Sequence, residues 1–143
     1  MIAERLDNAK IVFGLKGELA RVIDQLSARS QIPELGAQFR AHPPDQQNER
    51  FSYIGEGVAV PHFRIDNLAE PELILGLAPD GLAFNDHKVQ VVLLFVTPAE
   101  RPAEHLQLLQ RICSLLPALR EDLLKQRRPE EIIKLIARAE QQS

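Results

Sequence analysis

The apolar positions of the chain change their period twice, and the changes divide it into three blocks. In the first, Leu19, Val22, Ile23 and Leu26 recur at helical spacing, which predicts an amphipathic helix over Gly17–Arg29. Ile11–Phe13, ahead of it, is a short apolar run that suits a small strand or the lead into that helix. Pro33 is suited to open a second helix, running to about Ala41 with Leu35 and Phe39 turned inward. Pro43 and Pro44 then stop it, since neither donates a backbone hydrogen bond and each restricts its predecessor. Asp45–Glu49 is polar and reads as a loop.

The second block is built of short β-branched and aliphatic runs, Phe51–Tyr53, Val58–Val60, Leu73–Leu77 and Val89–Val96, separated by Gly, Pro, Asn and Asp. These predict strands joined by turns. Val91–Val96 has no polar alternation at all, so it predicts a central strand covered on both faces. The third block supplies the cover. Pro102–Leu116 predicts a helix ending at Pro117, Ala118–Gln126 a short helix, and Pro129 the start of a last helix. Glu130 and Glu131 suit the positive end of that last helix, and Ile132, Ile133, Leu135 and Ile136 line it. The fold class expected is α/β, a single domain over residues 1–143 with a mixed β-sheet sandwiched between helices.

Composition narrows the function. The 143 residues are 45% hydrophobic and 26% charged, which suits a folded domain and not a disordered one. The formal charge is -3, with no basic run, so neither duplex nucleic acid nor an anionic membrane surface is an expected partner. No apolar run is long enough to span a bilayer, and Met1–Lys10 lacks the apolar core of a signal peptide. Together with a single cysteine, this leads us to expect a cytoplasmic protein in a reducing compartment. Cys113 shares helical spacing with Leu106, Leu109 and Leu116, which predicts an inert core thiol.

The stretch that stands out is Gly55-Glu56-Gly57-Val58-Ala59-Val60-Pro61-His62. Its glycines allow a tight turn, but neither a dinucleotide fingerprint nor a phosphate loop follows from them. They lead into a short buried strand closed by Pro61 and His62, where the imidazole can face a cleft. From spacing alone, a histidine that simply hydrogen-bonds at the strand terminus fits as well as a reactive one. Free histidine titrates near pH 6.5, so a neutral ring nitrogen is available to attack phosphorus. His105 lies in the first turn of the helix opened by Pro102, where the dipole favours an anion. Taken alone, His105 suits an ordinary surface residue better than a catalytic one. His42 and His87 fall in loop-like contexts and receive no role. The four histidines lack the short paired spacings of a metal site, and no Gly-x-Ser-x-Gly elbow is present.

The glycine element ending in His62, with Pro102-Ala103-Glu104-His105-Leu106 after a buried strand, resembles the EIIA domains of the fructose/mannitol and nitrogen-regulatory type. These belong to the bacterial phosphoenolpyruvate-dependent phosphotransferase system. The resemblance runs over nearly the whole chain, and Phe84 ahead of the Val89–Val96 strand also fits it. It implies that His62 accepts a phosphoryl group from the phosphocarrier protein HPr. His62 then passes the group to an EIIB partner or holds it as a regulatory mark, while His105 orients and stabilises it. No metal or organic cofactor is implied. The family's arginine ahead of the glycine element is replaced here by Gln46-Gln47; Arg50 and Arg64 are the nearby cations, and Ser52 stands for the family's threonine. Arg50 and Ser52 are therefore the implied phosphate-binding residues. A missing guanidinium also leaves a second reading open, a regulatory module that binds a transporter, kinase or transcription regulator with little transfer.

Overall fold

The run Val91–Val96 lies where its uninterrupted apolar character requires, in the middle of a mixed sheet with every side chain inaccessible to solvent. A computed structural model describes residues 1–41, 53–84 and 86–142. Its strands are β1 (Ile11–Val12), β2 (Tyr53–Gly55), β3 (Val58–Ala59), β4 (His62–Ile65), β5 (Glu72–Phe84) and β6 (His87–Pro98). The sheet order is β1-β5-β6-β3-β2, with β4 also paired to β6. β5 and β6 form an antiparallel hairpin, whereas β3 and β4 run parallel to β6 one after the other. The α-helices among the described residues are α1 (Leu19–Ser27), α2 (Leu35–Ala41), α3 (Pro102–Leu124) and α4 (Pro129–Gln142).

Alternation along the strands divides the core between the two faces. Val91, Leu93 and Phe95 of β6 pack with Leu108, Ile112, Leu116 and Ile132 from α3 and α4. Val92, Leu94 and Val96 pack with Val22 and Leu26 of α1 and Leu35 and Phe39 of α2. The architecture is thus a mixed sheet between two helical layers, as the periodicity implies. Each such burial stabilises by roughly 1.5–3 kcal/mol relative to exposure, and this outweighs local propensity wherever the two conflict.

Several expectations are corrected. Pro117 does not end its helix: α3 continues to Leu124 with the proline inside it. An interior proline costs about 3 kcal/mol. Here the carbonyl left without a partner belongs to Cys113, which faces solvent, and the continuing turns bury Leu123 completely. Cys113 is accordingly exposed and not a core thiol. α3 carries apolar residues around more of its circumference than the sheet can cover, so Leu108, Ile112 and Leu116 are buried while Leu106 and Cys113 face outward. Desolvation by neighbouring atoms still pushes the Cys113 thiol pKa up, away from the reactive thiolate. α2 starts at Leu35 and not at Pro33, because Glu34 between them adopts a left-handed φ of 56°. β5 runs past Leu77 through Pro79 and Gly81 to Phe84, absorbing the proline at a register shift between Leu77 and Leu82. His62 opens a strand that the sequence did not announce, rather than closing the preceding one. The expected Pro43–Pro44 stop, the Asp45–Glu49 loop and Phe51 lie outside the described residues.

Candidate functional site

The glycine element makes a turn between β2 and β3 in which Gly55, Glu56 and Gly57 all have positive φ, at 101°, 53° and 77°. Only Gly57 of the three is both left-handed and closely walled. A Cβ there would lie 3.2 Å from Cδ of Arg120 and 3.4 Å from the Lys88 carbonyl oxygen. The turn is pinned from both sides. The Gly57 N–H donates to the Tyr53 hydroxyl at 3.2 Å, and the Gly57 carbonyl accepts from the N–H groups of Gln90 and Val91 at 2.8 and 3.1 Å. From there the chain follows β6. The Phe95 N–H donates to the Pro61 carbonyl at 3.0 Å, and His62 becomes the register partner of Phe95.

His62, Phe95 and His105 form a cluster of three rings. The His62 imidazole lies almost parallel to Phe95, with centroids 5.1 Å apart and an interplanar angle of 9°. His105 sits 5.3 Å from His62 and 5.2 Å from Phe95. The two imidazoles are half-buried and Phe95 is fully buried. Sequence reasoning picked both histidines, and the fold brings them together from β4 and α3.

Hydrogen bonding distinguishes the ring nitrogens. Nδ1 of His62 lies 2.6 Å from the carbonyl oxygen of Val60. A carbonyl can only accept, so Nδ1 carries the proton and Nε2 keeps its lone pair. Nδ1 of His105 lies 2.5 Å from Oγ1 of Thr97, which is completely buried. Among the described residues Nδ1 is the one partner of that hydroxyl, so satisfying the buried O–H requires it to donate to Nδ1. The proton of His105 then resides on Nε2. One ring thus presents a lone pair and its neighbour an N–H donor.

Burial keeps both rings neutral. It lowers the His62 pKa, opposed by the Val60 carbonyl, which favours the protonated ring. His105 is pushed down to about 4, first by burial and then by the positive charges of protonated His62 and of Arg64. The start of α3 offers less to an anion than the sequence suggests. The N–H groups of Glu104 and His105 both donate to the Arg101 carbonyl, at 3.1 and 3.3 Å. Arg101 in turn pairs with the Glu104 carboxylate at 3.3 Å.

Arg50 and Ser52 lie outside the described residues, as do Gln46, Gln47 and His42. His87 begins β6 and stacks on Tyr53 with centroids 4.0 Å apart. Thr97 was missed by the sequence reading. A lone threonine closing an apolar run gives no sign of its partner, which appears only when α3 folds back over β6. Among the described residues, no group of three or more His, Cys, Asp or Glu is placed to hold a metal ion. No helix among them is long and apolar enough to cross a membrane.

Comparison with curated proteins finds no match. Solved structures share the fold at low identity. The nitrogen regulatory protein IIA-Ntr of Neisseria meningitidis matches with a TM-score of 0.75 and 19% identity, covering 94% of this chain and 98% of its own. IIA mannitol of Escherichia coli matches with a TM-score of 0.71 and 19% identity, covering 92% and 98%. A complex of the Escherichia coli mannitol enzyme IIA with phosphorylated enzyme IIB matches with a TM-score of 0.68 and 19% identity, covering 92% of this chain and 96% of the matched one. A family model described as the phosphoenolpyruvate-dependent sugar phosphotransferase system, EIIA 2, matches residues 18–139, a span that holds the glycine turn, both ring-forming histidines and the whole of β6. The chain belongs to that EIIA 2 family.

Proposed function

We propose that this protein is a phosphoryl carrier in which Nε2 of His62 accepts a phosphoryl group from an HPr-type phosphocarrier and delivers it to an EIIB partner, or holds it as a regulatory mark. The observation that carries this reading is the 2.6 Å contact between Nδ1 of His62 and the Val60 carbonyl. It favours the tautomer that leaves the Nε2 lone pair free to attack. As Nε2 bonds to phosphorus, the phosphorus–nitrogen bond to the donor imidazole breaks and the donor leaves with its electron pair. His62 retains its Nδ1 proton throughout, and the Val60 carbonyl stabilises the positive charge that develops on the ring. His105, with its N–H on Nε2, donates to an oxygen of the bound group without adding a charge of its own.

The family supports this reading, and the mannitol enzyme IIA neighbour was solved with a phosphorylated enzyme IIB. Leu106, directly after His105, is 54% exposed and offers apolar surface for a docking partner to cover. The alternative of a binding module without transfer rests on Gln46, whereas the paired rings favour chemistry. The test is incubation with phosphoenolpyruvate, the first enzyme of the system and HPr, followed by intact mass under non-acidic conditions. One phosphoryl group is expected on the wild type and none on His62→Ala. Undiminished labelling of His62→Ala overturns the assignment.

A further inference from the structure

β4 carries a cation beside the two rings. Arg64 lies two residues after His62, so both side chains leave the same face of the strand, roughly 7 Å apart. In the register of the sheet His62 is opposite Phe95 and Arg64 is opposite Thr97. Phe95 is stacked against His62, and Thr97 holds His105. The four positions form a rectangle on one face of β4 and β6, with the His105 ring set over its β6 side.

Arg64 is exposed, and among the described residues it makes no ion pair or hydrogen bond. Asp66, two residues on in the chain, is exposed and is not paired with Arg64 among the described residues, and three acids beyond it are engaged elsewhere. Glu100 accepts from the Asn67 N–H at 3.2 and 3.3 Å, and Glu104 is paired with Arg101. Glu70 lies 3.4 Å from Arg5.

A phosphoryl group brings close to two negative charges into the site. The phosphorylated His62 ring, which keeps its Nδ1 proton, offsets one of them at most, and His105, whose pKa is pushed down to about 4, adds no charge near neutral pH. A planar fork of N–H donors is suited to phosphoryl oxygens, and it acts as a charge that never titrates away. The field of Arg64 already reaches the site, because it contributes to keeping His105 unprotonated.

We propose that Arg64 is a phosphoryl-binding residue of this site, folding its guanidinium over the oxygens of the group on His62 while His105 donates from the other side. This rests on the carrier reading and adds to it the source of positive charge. The geometry also separates the two roles. Arg64 meets the negative charge of the oxygens, and His105 supplies a directed hydrogen bond.

The experiment uses the whole chain and no protein partner. Phosphoramidate is the phosphoryl donor: Nε2 bonds to phosphorus as the phosphorus–nitrogen bond of the reagent breaks and ammonia leaves. The phosphorus NMR resonance of phosphohistidine is then followed against pH. A nearby guanidinium favours the doubly charged phosphoryl form, so in Arg64→Gln the phosphoryl ionisation is expected at a pH roughly one unit higher than in the wild type. Arg64→Lys is expected in between, because it keeps the charge and loses the fork. Arg127→Gln, three residues past the end of α3, whose last residue Leu124 is roughly 30 Å along the helix from His105, is expected to titrate as the wild type does. Coincident titrations of wild type, Arg64→Lys and Arg64→Gln overturn the assignment and leave Arg64 as a surface residue. A wild-type protein that gives no phosphohistidine resonance overturns the carrier reading itself, and this assignment with it.

Discussion

The hydroxyl of Thr97 lies 2.5 Å from Nδ1 of His105 and is closed off from solvent. A buried O–H with one available acceptor among the described residues cannot be left unpaired without a cost of about 1–3 kcal/mol, so this contact governs both the tilt and the tautomer of the imidazole. Thr97→Val keeps the shape and removes the donor. It is expected to let His105 sample both tautomers, visible in its ring nitrogen chemical shifts, and to slow onward transfer while His62 still becomes labelled. Thr97→Ser should restore both. Wild-type shifts and transfer in Thr97→Val would separate the hydroxyl from the function.

On the proposed reading, His105 acts on the group and not as its acceptor. His105→Ala is therefore expected to accept one phosphoryl group on His62 but to pass it on about 10²-fold more slowly, the scale of losing one well-placed donor. Single-turnover transfer to an EIIB partner measures this. Loss of the label itself from His105→Ala would instead make His105 the acceptor.

Acidity acts on the fold and on the nucleophile in the same direction. In the unfolded chain histidine titrates near 6.5, whereas in the folded protein His105 takes its proton only at about 4, and His62 also below its ordinary value. Between those limits the unfolded state binds more protons, so stability is full above about pH 6.5 and declines as pH falls toward 4. Denaturant midpoints across that window should fall for the wild type and fall less for His105→Gln. The labelling rate should stay level from pH 8 to about 6.5, because the His62 lone pair is free throughout, and decline only below. A labelling optimum on the acid side would contradict the neutral nucleophile.

The turn that delivers His62 is sensitive at one position. Gly57→Ala forces a side chain into a left-handed conformation and against Cδ of Arg120 at 3.2 Å. The backbone term alone costs about 1–2 kcal/mol. The midpoint of chemical denaturation should fall accordingly, whereas Glu56→Gly, at an exposed residue already left-handed, should leave stability unchanged or raise it. An unshifted midpoint in Gly57→Ala would show that the turn can relax.

The parts of this arrangement legible in the sequence are those that depend on local pattern. Val91–Val96 announces the central strand because nothing polar interrupts it, and Leu19 to Leu26 announces α1 because a single face is apolar. The glycines and Pro61 mark His62 because few backbones need that combination. What is not legible depends on contacts distant in the chain. β4 has only four residues with mixed burial, and its strand character comes from the free edge of β6. Pro117 reads as a stop until the burial of Leu123 is known. Leu106 and Cys113 read as core because spacing cannot say how wide a helix face the sheet covers. The Thr97–His105 contact needs β6 and α3 placed before it exists at all.

The most direct measurement is the position of the phosphoryl group on the ring, read by nitrogen and phosphorus NMR of protein labelled through HPr. The account predicts one phosphoryl group, on Nε2 of His62, with the Nδ1 proton retained and bonded to the Val60 carbonyl. Attachment at Nδ1 of His62, or at either nitrogen of His105, would contradict it.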